Sequence, residues 1–142
     1  GLESRGLGDV YKRQVKTDWH NLSHHGKDEN KIDELEIIEK EEFSLFAKFL
    51  GDLQSHQESD SSLLTNTAVL FGSNLGNASS HDWRNLPIIL AGGGYRHGSY
   101  VAHDSQDNTP LSNLFVPLAQ RMGVSIDQFG KSTKSSIRGL ET

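Results

Sequence analysis

The chain has 142 residues, a formal net charge of −5, 34% hydrophobic residues and a mean hydropathy of −0.56, enough for one modest domain or a piece of one. It has no cysteine, which excludes a disulfide framework and a thiolate metal site, so a bound metal would need nitrogen and oxygen ligands. Acids gathered between Asp28 and Glu42 argue against a nucleic-acid surface, and neither a membrane span nor an export signal is legible in this segment.

The opening GLESRGLGDVYKRQ has no periodicity and does not lead into the pattern of the residues after it. Its DVYKRQ, Asp9 to Gln14, resembles the translation of a transposon-end adapter used in sequencing-library preparation, so residues 1–14 read as an adapter scar, expected to be disordered. The domain proper is then 15–142. Because it starts abruptly before its densest group of functional-looking residues, it reads as the C-terminal part of a longer protein whose N-terminal half is a further partner.

From about Lys31 to Gln57 apolar residues recur at Leu35, Ile38, Phe46, Phe49 and Leu53, with Phe43 and Leu50 beside them, the stripe of one long amphipathic helix. Its opposite face mixes Glu36, Glu39, Lys40, Glu41, Lys48 and Asp52, a solvated face with helical ion pairs. SHQESDSS reads as a surface connection. TAVLFG, Thr67 to Gly72, and LPIILAGGG, Leu86 to Gly94, are short apolar runs expected as strands buried on both faces, with Pro87 at the start of the second and the triple glycine turning the chain at its end. NTPLSNLFVPLAQRMGV predicts a helix capped by Thr109, with Pro110 in its first turn, a kink at Pro117 and an end at Gly123. The tail from Ser125 reads as irregular, anchored by Ile126 and Phe129. Together these predict an α/β fold in which the segment supplies one side of a larger sheet, with ligands held in loops beyond its strands, here Gly72 to Asn85.

WHNLSHHG, residues 19–26, holds three imidazoles. His20 and His24 stand four apart, which on a helical turn aims both rings the same way. Imidazole suits zinc, iron, copper and nickel, and a site needs at least one further ligand. His81, in NASSHDW on the loop after the first strand, is the candidate third. Asp82 is an oxygen ligand or an acceptor orienting a ring, and Asn74 a weaker carbonyl donor. A polar turn with hydrogen-bonded histidines is the competing reading of His20, His24 and His25. His56, His97 and His103 read as surface residues. AGGGYRHG lacks the lysine and hydroxyl of a phosphate loop, and no GxSxG elbow occurs. Trp19 and Trp83 read either as shields of a site or as ordinary core aromatics.

With these residues in view, Trp19 to Leu140 resembles the uncharacterised bacterial family named for its HXXSHH motif, matched by His20, Ser23, His24 and His25, by VLFGSNLGNASSHDWRNLPIILAGGG and by the TPLSNL, QRMGV and FGKST segments. That family is similar to the alkaline phosphatase-like superfamily of metal-dependent hydrolases, sulfatases included. The resemblance implies a partial alkaline phosphatase-like sheet flanked by helices, and a divalent ion such as zinc on His20, His24 and His81. It places Ser73 and Asn74 where an Asp-His pair would stand. A hydroxyl and an amide are weak, uncharged ligands, which puts one of the superfamily's two metal sites in doubt. The expected activity is hydrolysis of phosphate or sulfate esters, small or polymeric, with the nucleophile outside this segment and the protein periplasmic or extracellular. The alternative is a catalytically degenerate exported binding or surface protein of the same fold.

Overall fold

The computed structural model describes residues 15–140, so the expectation for residues 1–14 lies outside the described part. Asp18 opens the first short helix, α1 (Trp19–Ser23), by accepting a hydrogen bond from the Asn21 amide. That amide, and then the Asn21 side chain, hold the Asp18 carboxyl below its ordinary range. Asp28 caps the long helix α2 (Glu29–Ser55) by accepting from the amides of Asn30 and Lys31, which satisfies donors that a helix start leaves unpaired.

The stripe on α2 is shielded at Leu35, Ile38, Phe46, Leu50 and Leu53, whereas Phe43 and Phe49 lie about half exposed at its margins. Glu42 shares the shielded stripe. Burial, and then the neighbouring Glu39, push its carboxyl up. On the wet face Lys40 pairs with Glu36 at 2.6 Å and Lys48 with Asp52 at 2.9 Å. Both are exposed pairs of small energetic weight.

The SHQESDSS stretch is more structured than a plain connection. Two residues on each side form a hairpin, β1 (Gln57–Glu58) against β2 (Ser61–Ser62), and Ser62 then caps the short helix α3 (Leu63–Asn66) by accepting from the Thr65 amide. Strand β3 (Ala68–Gly72) follows and pairs antiparallel with β4 (Ile88–Gly92), Ala68 opposite Gly92 and Gly72 opposite Ile88. The mixed α/β character therefore holds among the described residues, with two small antiparallel sheets.

The expectation that both strands are buried on both faces is corrected. On β3, Val69 and Phe71 are shielded while Ala68, Leu70 and Gly72 are exposed; on β4, Ile88 and Leu90 are half-buried and Ile89 exposed. An apolar run cannot say which face is covered. Here Phe71 is covered by α2, stacking on Phe46 at 4.6 Å and meeting Phe43 edge-on at 5.6 Å, contacts that add about 0.5–1.5 kcal/mol beyond burial.

The glycine run turns the chain in the left-handed region, with φ of 69°, 64° and 68° at Gly92, Gly93 and Gly94. A Cβ at Gly92 would collide with the carbonyl oxygens of Leu64 and Thr67, so the approach of α3 to β4 requires glycine.

The last helix, α4, spans Ser112–Arg121, and its N-cap is Leu111 with no side-chain bond, not Thr109. The Pro110–Leu111 turn starts it through Asn113 N–H to Pro110 and Leu114 N–H to Leu111, while the Thr109 hydroxyl is engaged by His103 Nδ1 at 3.0 Å. The helix continues through Pro117.

Asn113, only 1% exposed, accepts from the Thr133 amide at 2.8 Å and donates to the Thr133 hydroxyl at 3.3 Å. It thereby ties the irregular tail to α4. Ile126 is half-buried, and Phe129 rests on Phe115 at 5.2 Å. Leu22, Ile38, Tyr95, Leu114 and Val116 are the buried apolar side chains among the described residues, and no described helix is long and apolar enough to cross a membrane.

Candidate metal centre

Two polar loops meet beside α1. The first begins as α1 ends: the His24 amide bonds back to the His20 carbonyl at 3.3 Å, and so does the Ser23 hydroxyl at 2.8 Å. One turn of helix therefore sets the His20 and His24 rings 4.9 Å apart, edge to face. His25 is engaged locally, its Nδ1 accepting from the Lys27 amide at 3.1 Å.

The second loop joins β3 to β4. Asn77 and Asp82 exchange backbone bonds, Asp82 N–H to Asn77 at 2.9 Å and Asn77 N–H to Asp82 at 3.2 Å, and the Gly76 amide adds a third bond to Asp82 at 2.8 Å. The four residues between them form a tight turn in which the Asn77 side chain accepts from the Ser80 amide. His81 closes this turn with φ of 55°, a left-handed conformation that costs a β-carbon-bearing residue energy and recurs where function imposes it.

The two loops are tied by the Gly26 amide donating to the Ser79 hydroxyl at 3.3 Å. Across that tie His81 Nε2 lies 3.2 Å from His24 Nε2, with ring centroids 4.8 Å apart. Two imidazole nitrogens so placed either share one proton or face a common cation. Nitrogens bound to one tetrahedral zinc at its usual bond length stand about 3.3 Å apart, so the observed separation suits both arrangements. His20 meets the pair through His24, by its ring edge. Among the described residues no group of three or more histidine, aspartate or glutamate donors stands already converged on one point.

Asp82 does not serve the histidines. Its two oxygens accept from Arg84 Nε at 2.9 Å and Nη2 at 3.0 Å, and one also accepts from the Arg84 amide at 3.0 Å. These bonds lower its pKa to about 2 and raise that of Arg84. The fork-on-carboxylate geometry is the strong form of such a pair, and the DWR spacing is its only sign in the sequence.

Ser73 uses its hydroxyl to accept from the Leu75 amide at 3.1 Å, and Asn74 is exposed. Trp19 is 50% exposed and Trp83 74%, so neither is a core aromatic. Trp83 lines an open depression of about 330 Å³ together with Ser80, His81, Asp82 and Arg84. His56 and His97 are exposed, His97 with Nε2 on the Gly92 carbonyl at 2.8 Å, and His103 is half-buried.

No protein-family model, no curated protein and no solved structure matches the chain. Its functional reading stands on side-chain chemistry and on the motif resemblance.

Proposed function

We propose that this chain carries the histidine ligands of a metal-dependent hydrolase of phosphate or sulfate esters, an HXXSHH-type segment of alkaline phosphatase-like character. His20, His24 and His81 would hold one divalent ion, zinc or a similar metal. The observation that carries the reading is the 3.2 Å approach of the His24 and His81 Nε2 atoms across two loops 57 residues apart in sequence. The donor set fits, because neutral imidazole nitrogen is the common ligand of such ions and catalytic sites use three protein ligands with a fourth position open. When bound, the ion supplies a Lewis acid and a water acidic enough to act near neutral pH.

The chain's own residues do the positioning. One turn of α1 sets His20 edge to face with His24, and the backbone bonds of the 77–82 turn position His81, whose Nε2 approaches His24. Asp82 and Arg84 pair with each other beside that turn. Ser73 and Asn74 carry no charge, which favours a single ion. The family resemblance implies an exported protein, periplasmic or extracellular. The same uncharged pair motivates the second reading, a catalytically degenerate exported binding or surface protein of this fold.

Calorimetric titration with zinc, backed by elemental analysis, tests the reading. Wild type is expected to take up one ion per chain, and His24→Ala and His81→Ala each to weaken uptake at least about a hundredfold. Absence of uptake by wild type, or uptake unchanged in both variants, overturns it. Turnover of p-nitrophenyl phosphate or sulfate by the zinc-loaded protein, abolished by chelator, separates hydrolase from binding protein.

A further inference from the structure

We infer that Trp83 is a specificity-determining residue of the proposed site, offering its indole as a stacking surface for a flat, uncharged ring on the alcohol side of the ester. The ester itself rests on the hydrolase reading; the ring rests on separate observations. Trp83 is two residues from His81 in sequence and 74% exposed. An indole left in water at the edge of a concavity offers a face on which a ring can stack. The depression it shares with Ser80, His81, Asp82 and Arg84 has a volume of about 330 Å³. A cavity of about 150 Å³ already accepts benzene, so one ring bearing an ester group fits. His81 lies in the same depression and approaches His24 with its Nε2, so the ester end of such a molecule would meet the His81 side of the pair.

The charge of the wall favours an uncharged ring. Both carboxylate oxygens of Asp82 accept from the Arg84 guanidinium, at 2.9 and 3.0 Å, so the two opposite charges balance. A charged ring needs a net charge to meet. An aromatic ring needs a π surface, and indole provides the largest one among side chains.

Binding of phenyl phosphate, ethyl phosphate and glucose 6-phosphate is measured by calorimetry on the whole chain, with and without zinc, for wild type, Trp83→Phe and Trp83→Ala. Phenyl phosphate is expected to bind about tenfold more tightly than ethyl phosphate, the preference surviving in Trp83→Phe and vanishing in Trp83→Ala. Equal binding of the three esters, a preference for the sugar phosphate, or a phenyl preference undiminished in Trp83→Ala overturns the inference. The ring preference is also read without metal. Failure of zinc uptake with the preference intact therefore strikes the hydrolase reading alone, and zinc uptake without the preference strikes this one alone.

Discussion

Where α2 lies against β3, Phe46 stacks on Phe71 at 4.6 Å and Ile38 is 1% exposed; where the segment around His24 meets the loop around His81, the ties are one amide-to-hydroxyl bond and one contact between ring nitrogens. The first region gains its stability from apolar area removed from water, which is non-directional and tolerates no missing volume. The second is positioned by backbone bonds inside each loop, the capped turn of α1 and the Asn77–Asp82 pairing, with His20 and His81 exposed and His24 half-buried. Fold stability and site chemistry therefore reside in different residues, and substitutions should separate them.

The sharpest contrast comes from Ile38→Ala. Truncating a fully buried branched side chain costs about 2–5 kcal/mol, so denaturant unfolding should show a loss of that size. A loss under about 1 kcal/mol, below the range for a buried branched side chain, would mean that α2 is not seated as described. His81 gives a smaller and opposite effect. Its φ of 55° suits glycine, and a left-handed residue with a β-carbon costs roughly 1–2 kcal/mol. His81→Gly should therefore be more stable than His81→Ala by about 1 kcal/mol, while both lose the ring that faces His24. Equal stability of the two would mean that the 77–82 turn relaxes and does not hold His81 in place.

The smallest effect concerns the loop's own charge pair. The Asp82 carboxyl is depressed from 3.8 to about 2, first by the Arg84 side-chain bonds. For an acid depressed in the folded state, the pairing is fully present above the ordinary value and is lost as pH falls through the folded one. Carbon NMR of the Asp82 carboxyl should show a midpoint at about 2, with the Arg84 Nε–H signal moving in step. A midpoint at the ordinary 3.8 would show that the two groups do not pair.

Much of the packed region is legible from local pattern. The long helix, the two strands and the glycine turn lie where periodicity and breaker residues put them, because a 3.6-residue repeat and a run of β-branched and apolar residues are local properties. The second strand, however, begins at Ile88, after Pro87 and not with it. Thr109 is not the cap that its place in the sequence suggests, because a hydroxyl before proline looks the same whether it bonds a helix amide or, as here, His103. The β1–β2 hairpin is hidden in polar residues that carry no alternation. Asn113 gives no signal at all, since a buried asparagine inside a helix is recognisable only when the tail it binds is in place.

In the site, the helical spacing of His20 and His24 is a property of the chain alone, and so is the position of His81 on the loop after β3. Residue types and short-range spacing determine such features, because they depend on backbone geometry over a few residues. The tertiary structure decided that His81 turns its Nε2 to His24, that Asp82 bonds Arg84 and leaves the histidines alone, and that Trp83 faces the open depression beside them. These depend on where two loops 57 residues apart come to rest, and that is set by the packing of α2 and the strands, which no local spacing encodes.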